Sequence, residues 1–95
     1  MIFAMREVVP SAQYKRGLKR FRFNAAILSE LKTVTDLLAA DAPLPAKYRD
    51  HELHNNWEGC RDCHVRPDVV LIYRKTSDGL ELLLLRIGSH SEIFD

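Results

Sequence analysis

Apolar positions recur along this chain with two periods, first that of a helix and then that of a sheet, and the change comes near His51. Residues Ile2 to Val9 are apolar apart from Arg6 and Glu7, and Pro10 stops them, which predicts a short first strand. Ser11 offers a helix N-cap. Tyr14, Leu18 and Phe21 then fall at i, i+4 and i+7, the stripe of an amphipathic helix that tolerates Gly17 in its middle. Asn24 is the next cap, and Ile27, Leu31, Val34 and Leu38 repeat at spacings of four, three and four, so a second helix is predicted from Asn24 to about Ala40. Asp41 and the run Pro43-Leu44-Pro45 cannot continue it and read as an extended connector.

From His51 the pattern predicts a strand to about Trp57, a turn at Glu58-Gly59 and a second strand from Cys60 to Val65, broken by Pro67. Asp68 opens Val69-Val70-Leu71-Ile72-Tyr73, apolar on both faces and therefore a central strand. Ser77-Asp78-Gly79 is the turn of a hairpin into Leu80 to Ile87, which ends at Gly88. The order β-α-α-β-β-β-β predicts an α+β fold with two helices packed on one face of an antiparallel sheet. No repeat, low-complexity segment or boundary interrupts it, and 95 residues are expected to form one domain, 1–95, with one modest core.

Composition changes this picture little. With 46% hydrophobic and 28% charged residues, and no apolar run near the ~20 residues that span a membrane, the chain is expected to be soluble, cytoplasmic and without a membrane partner. Charge changes it more. Residues 1–50 hold nine Lys/Arg against five Asp/Glu, a balance of +4, and residues 51–95 hold five against eight, a balance of −3. Lys15, Arg16, Lys19, Arg20 and Arg22 put five cations without one acid into eight residues. Such a run is usually a solvated helix face, but its one-sidedness also suits a polyanion, although the pI near 7.8 falls short of the value above ~9 of a free-standing nucleic-acid binder.

The segment from His51 to Asp68 concentrates the candidate chemistry: three of the four histidines, both cysteines and the only tryptophan. Read as a strand, it projects Cys60, Asp62 and His64 to one side and Arg61, Cys63 and Val65 to the other, so one face carries an acid beside an imidazole. The same letters spell C-x-x-C-H, the attachment pattern of c-type haem, and His51 and His54 bring zinc to mind. Haem attachment belongs to exported chains, and Met1 to Ser11 has no basic start, sustained apolar run or cleavage site. Zinc needs a second short-spaced ligand pair, and His51 and His54 in one strand would face opposite ways. The favoured reading is two partly buried cysteines in a reduced compartment, with no metal and no cofactor.

The run His51-x-Leu53, Trp57-x-Gly59-x-Arg61-Asp62-x-His64-x-x-Pro67-Asp68, then Leu71-Ile72-Tyr73 and Arg86-x-Gly88-Ser89-His90-Ser91-x-Ile93-Phe94, resembles the YafQ branch of the RelE/ParE toxin superfamily of bacterial type II toxin–antitoxin pairs. The RelE-like fold of that family has the element order read above. The resemblance implies a ribosome-dependent messenger-RNA endonuclease, partnered by an antitoxin. Its active site would fall on His51, His64, Asp68 and His90, with Arg86 on phosphate, Phe94 on substrate and Asp62 in support. Lys15, Arg16, Lys19 and Arg20 would then be the ribosome-binding face. Where some relatives carry tryptophan after the Pro-Asp pair, this chain has Val69, and Cys60 and Cys63 are outside the family pattern.

Metal-free RNA cleavage needs a base for the 2′-hydroxyl, an acid for the departing 5′-oxygen and a cation for the phosphate, and imidazole suits either proton role. Asp68 or His51 is the expected base, His90 the acid, His64 the group that orients one of them, and Arg86 the phosphate contact. Phe94 reads equally as a plug for the end of the sheet or as a base-stacking ring. Two other readings share the fold or the ligands: a non-catalytic ParE-like inhibitor of a protein target, and a zinc-stabilised binding module.

Overall fold

Ser11 makes the first join between helix and sheet. The computed structural model describes residues 5–94. In it β1 covers Glu7–Pro10; residues 2–4 of the expected first strand lie outside the described residues, and Met5 and Arg6 precede the ladder. α1 spans Ala12–Leu18 and tightens into a 3-10 turn over Lys19–Phe21. The Ser11 hydroxyl caps α1 by accepting from the Tyr14 N–H at 3.0 Å, and it donates to the Leu85 carbonyl at 2.8 Å. α2 spans Ala25–Ala39, capped by Asn24, which accepts from the Ile27 N–H at 3.1 Å. Of its predicted stripe, Leu31, Val34 and Leu38 are buried, as amphipathic spacing demands.

The remaining elements are β2 (His51–Glu52), β3 (Arg61–Arg66), β4 (Val69–Lys75), β5 (Glu81–Gly88) and α3 (His90–Phe94). Two of them depart from expectation. The strand predicted from His51 to Trp57 ends after two residues, because Asn55 takes φ 58° and Asn55–Trp57 forms a 3-10 turn. His54-Asn55-Asn56 is poor strand sequence, and asparagine tolerates the left-handed region. α3 was not anticipated, although Ser89 and Glu92 form a capping box: the Glu92 carboxylate accepts from the Ser89 N–H at 2.8 Å, and the Ser89 hydroxyl from the Glu92 N–H at 3.2 Å.

The sheet order is β1-β5-β4-β3-β2. β2 to β5 form the expected antiparallel meander, while β1 adds to β5 in parallel, from Glu7 opposite Glu81 to Pro10 opposite Leu84. A period of two is the same for either sense of pairing, so the pattern of polar and apolar positions carries no sign of that sense. α1 and α2 cover one face, where Tyr14, Leu31, Val34 and Leu38 meet Leu71, Tyr73, Leu82, Leu84 and Ile87. Gly17 lies where α1 crosses β5: a Cβ there would collide with the Ile87 carbonyl oxygen, so only glycine permits the approach. The opposite face carries a smaller apolar cluster of Cys60, Val70, Ile72 and Ile93, bordered by Leu53, Trp57, Leu85 and Phe94. No helix among the described residues is long and apolar enough to cross a membrane.

A bulge in β5 aims one side chain. Tyr73 faces Leu84 and Ile72 faces Arg86, so Leu85 is the extra residue, and its carbonyl is the one the Ser11 hydroxyl satisfies. The bulge brings Arg86 level with Ile72 on the face away from the helices.

Candidate active site

Register alone assembles the centre of the site. His51 on β2 pairs with Asp62 on β3, Asp62 with Ile72 on β4, and Ile72 with Arg86 on β5, a rank of four side chains across the open face. The next rank is His64, Val70 and Gly88. Beyond it lie the Pro67-Asp68 turn and α3, which brings His90 and Phe94 to the same end of the sheet.

Asp62 is the middle of this arrangement and is only 2% exposed. Its Oδ1 has no hydrogen-bond partner; His51 Nδ1 is 3.1 Å away but lies closer, at 2.9 Å, to the Arg49 carbonyl. Burial pushes the Asp62 carboxyl above the usual range; the imidazoles of His51, His64 and His90 all act on it in the opposite direction. Histidines on three elements thus act on the charge of one buried carboxylate, and His51 is within 3.1 Å of it.

The ring positions are set by backbone. A carbonyl oxygen only accepts, so the contact with Arg49 puts the proton of His51 on Nδ1 and leaves Nε2 as the free acceptor. Arg49 itself has φ 49°, left-handed and unusual for so large a side chain. Its neighbours hold it there. The Tyr48 hydroxyl donates to Glu30 on α2; Asp50 accepts from the Tyr73 hydroxyl and from Arg61, at 2.9 Å from Nη2 and 3.2 Å from Nε. His64 Nδ1 is 3.3 Å from the Pro67 carbonyl, which ties that ring to the turn carrying Asp68.

At the other end, His90 is exposed and stacks on Phe94, with ring centroids 4.7 Å apart and planes tilted by 46°. Phe94 also packs on the open-face cluster, so the plug and the ring at the site are one residue in two contacts. Arg86 reaches to 3.5 Å of the Glu92 carbonyl. Asp68 stands slightly apart, exposed, on a cleft it shares with Arg20, Phe21, Val69, Ser89 and Glu92. The basic run does not act as a unit: Arg20 is ion-paired to Glu92 of α3, whereas Lys15 and Lys19 line a separate groove with Leu18, Arg22 and Leu28, and Arg16 is exposed. Val69 is buried in the helix-side core, so it offers nothing to the open face.

The cysteines fall on opposite faces, Cys60 in the open-face cluster and Cys63 in the helix-side core, where burial pushes its thiol up to about 12. The C-x-x-C-H run therefore does not turn both sulfurs to one haem edge. Sequence reasoning passed over Arg49, Asp50 and Glu92, which touch or hold site residues; of these only Glu92, three residues after Ser89, carried a readable signal.

The model of the family described as bacterial toxin of type II toxin–antitoxin system, YafQ, matches residues 6–95. The chain belongs to the YafQ family. The mRNA interferase toxin YafQ of Escherichia coli strain K12 is 38% identical over 90 residues, 94% of this chain and 96% of that protein. In the crystal structure of the E. coli DinJ-YafQ toxin–antitoxin complex, the matching chain is 37% identical with a TM-score of 0.83, covering 96% of this chain and 99% of that one. A metal-bound toxin from Helicobacter pylori matches at 37% identity and TM-score 0.86, over 95% of this chain and 100% of that one. Among the described residues of this YafQ-family chain, no three His, Cys, Asp or Glu side chains are grouped to hold one metal ion.

Proposed function

We propose that this chain is a messenger-RNA interferase: a toxin that cuts message held in the ribosomal decoding site, by acid–base transfer of the phosphate to the neighbouring 2′-hydroxyl. The observation that carries this reading is the buried Asp62 carboxylate with His51 3.1 Å away, His64 two residues on along the same face of β3, and Arg86 in the same rank. His51 takes the 2′-hydroxyl proton on Nε2, and Asp62, 3.1 Å from its other nitrogen, supplies the counter-charge to the imidazolium that forms. The 2′-oxygen attacks phosphorus while Arg86 balances the charge gathering on the phosphate oxygens. The P–O5′ bond breaks as His90 gives its proton to the leaving oxygen, yielding a 2′,3′-cyclic phosphate and a 5′-hydroxyl. Phe94, half-buried, steadies the His90 ring and is the aromatic on which a base would stack. His64 holds the turn on which Asp68 stands. Asp68 is the competing base, favoured by its place on the cleft beside Ser89 and α3.

Ribosome dependence rests on how little RNA-holding surface a chain of net charge +1 has. A fixed codon arrives with its reacting atoms near alignment, and such positioning supplies on the order of 7–11 kcal/mol in favourable model systems. A cognate antitoxin fits the same reading: the E. coli relative is found with DinJ, and an acidic or helical segment would cover the α1 cations and the His90 region.

The chain alone, induced in bacteria, should generate new 5′ ends within translated messages, and one labelled message should be cut well in a decoding complex and poorly when free. Equal rates in the two samples would sink ribosome dependence. Absence of new 5′ ends would sink the nuclease reading.

A further inference from the structure

A second basic cleft opens on the His64 side of the site. It holds about 340 Å³, within the range of clefts that take small ligands, and its polar lining is Glu30, Lys47, Tyr48, Arg49, His64 and Arg66. Three cations there face one acid. That acid is already engaged: the Tyr48 hydroxyl hydrogen-bonds Glu30 and holds its carboxyl below the usual range, Lys47 lies 3.8 Å away and its ammonium sits 5.0 Å over the Tyr48 ring. Lys47 is thus paired with Glu30, whereas Arg49 and Arg66 make no ion pair among the described residues. The Pro67-Asp68 turn separates this cleft from the one that Arg20 lines. A strand held between His51, His90 and Arg86 and leaving past His64 would meet the Arg49 and Arg66 guanidinium groups, which no carboxylate among the described residues pairs.

We propose that the Lys47–Arg49–Arg66 cleft is a phosphate-binding subsite for a nucleotide of the same RNA strand, flanking the scissile one on the His64 side. The proposal rests on the nuclease reading above. RNA is favoured over an acidic protein segment by continuity: His64 lines this cleft and stands on β3 two residues from Asp62, in the rank next to His51, Asp62 and Arg86. The guanidinium groups act on charge and position and carry no base specificity.

The test uses the full chain and a fluorescein-labelled, uncleavable 2′-O-methyl oligoribonucleotide, with affinity measured by anisotropy against salt concentration. Each single-strand phosphate contact contributes about 0.7 to the slope of log K against log salt, so Lys47→Ala/Arg66→Ala should flatten it by ~1.4. Lys47→Glu/Arg66→Glu should abolish binding. Arg74→Ala, on β4 and exposed away from the cleft, should leave the slope unchanged. Thermal denaturation of each variant identifies any that has lost the fold. An unchanged slope in the folded Ala/Ala variant overturns the proposal, as does an absence of binding by the parent chain at low salt. So does an Ala/Ala variant that keeps its RNA slope but loses binding to the antitoxin, which would assign the cleft to protein. Failure of the nuclease reading has a separate sign, a parent chain that cuts no message.

Discussion

Replacing Asp62 by Asn should make this protein more stable and less active. The carboxylate is 2% exposed, its Oδ1 has no donor, and burial holds its pKa above the ordinary 3.8. A folded-state pKa above the unfolded one means that the native chain binds the proton more tightly, so stability falls as pH rises between the two values and stays lowered above both. The amide carries no charge to desolvate. An unsatisfied buried polar group costs more when charged than when neutral, and since the amide's own polar atoms stay buried, only that difference, on the order of 1 kcal/mol, is the gain expected of Asp62→Asn at neutral pH. For a domain of this size each kcal/mol raises Tm by about 4–8 °C. Below pH 3.8 both chains are neutral at position 62 and their melting temperatures should converge. Cleavage in a decoding complex should fall by ~10²–10⁴, since the imidazolium formed at His51 loses its counter-charge. Circular-dichroism melts at neutral and acid pH, with single-turnover cleavage, give both halves. A variant that is less stable at neutral pH, or whose gain persists unchanged in acid, would show Asp62 to be a structural anchor and refute the reasoning.

His90→Ala should lower cleavage ~10²–10⁴-fold with the fold intact, because an exposed residue on a five-residue helix anchors no core; full toxicity or loss of folding would remove it from the catalytic set. Chelator should leave cleavage unchanged, and activity lost to EDTA and restored by metal would overturn the acid–base mechanism. Lys15→Ala/Arg16→Ala/Lys19→Ala should weaken ribosome binding and its salt dependence, whereas Arg20→Ala should act through α3 and reduce the cleavage rate instead. Gly17→Ala should destabilise by about 1–3 kcal/mol in thermal melts, since the clash with the Ile87 carbonyl outweighs a helix-propensity gain of about 1.

The helices were legible in the sequence because cap and stripe agreed: Ser11 and Asn24 stand where capping hydroxyl and amide groups are found, and Leu31, Val34 and Leu38 are buried in turn. The central strand was legible because five consecutive apolar residues need cover on both faces, and Val69 to Tyr73 are all buried. The end of β2 was not, since period-two reading has no term for an asparagine that takes a left-handed turn at position 55. Alternation put Asp62 and His64 on one face, but a bulge moves every later side chain, so the place of Arg86 opposite Ile72 depended on Leu85 being looped out. The Lys47, Arg49 and Arg66 cleft was illegible for a further reason. Its cations come from both ends of a sixteen-residue gap and converge where Tyr48 is tied to α2.

The two costly features of this half of the molecule converge on one hydrogen. Left-handed backbone at a non-glycine residue is unfavourable by about 1–2 kcal/mol, and Arg49 adopts it between Tyr48 and Asp50, each fixed by its own hydrogen bonds. The buried Asp62 oxygen lies unsatisfied on the same side. His51 Nδ1 stands 2.9 Å from the carbonyl that the strain delivers and 3.1 Å from that oxygen, with a single hydrogen for two acceptors. A relaxed Arg49 would free that hydrogen for Asp62 and improve stability on both counts. It would also release the ring from the carbonyl that fixes its plane and directs Nε2 outward. Strain and an unpaired carboxylate are thus retained at the position where the proposed base must hold one tautomer in one orientation, with a negative charge in reserve for the proton it accepts.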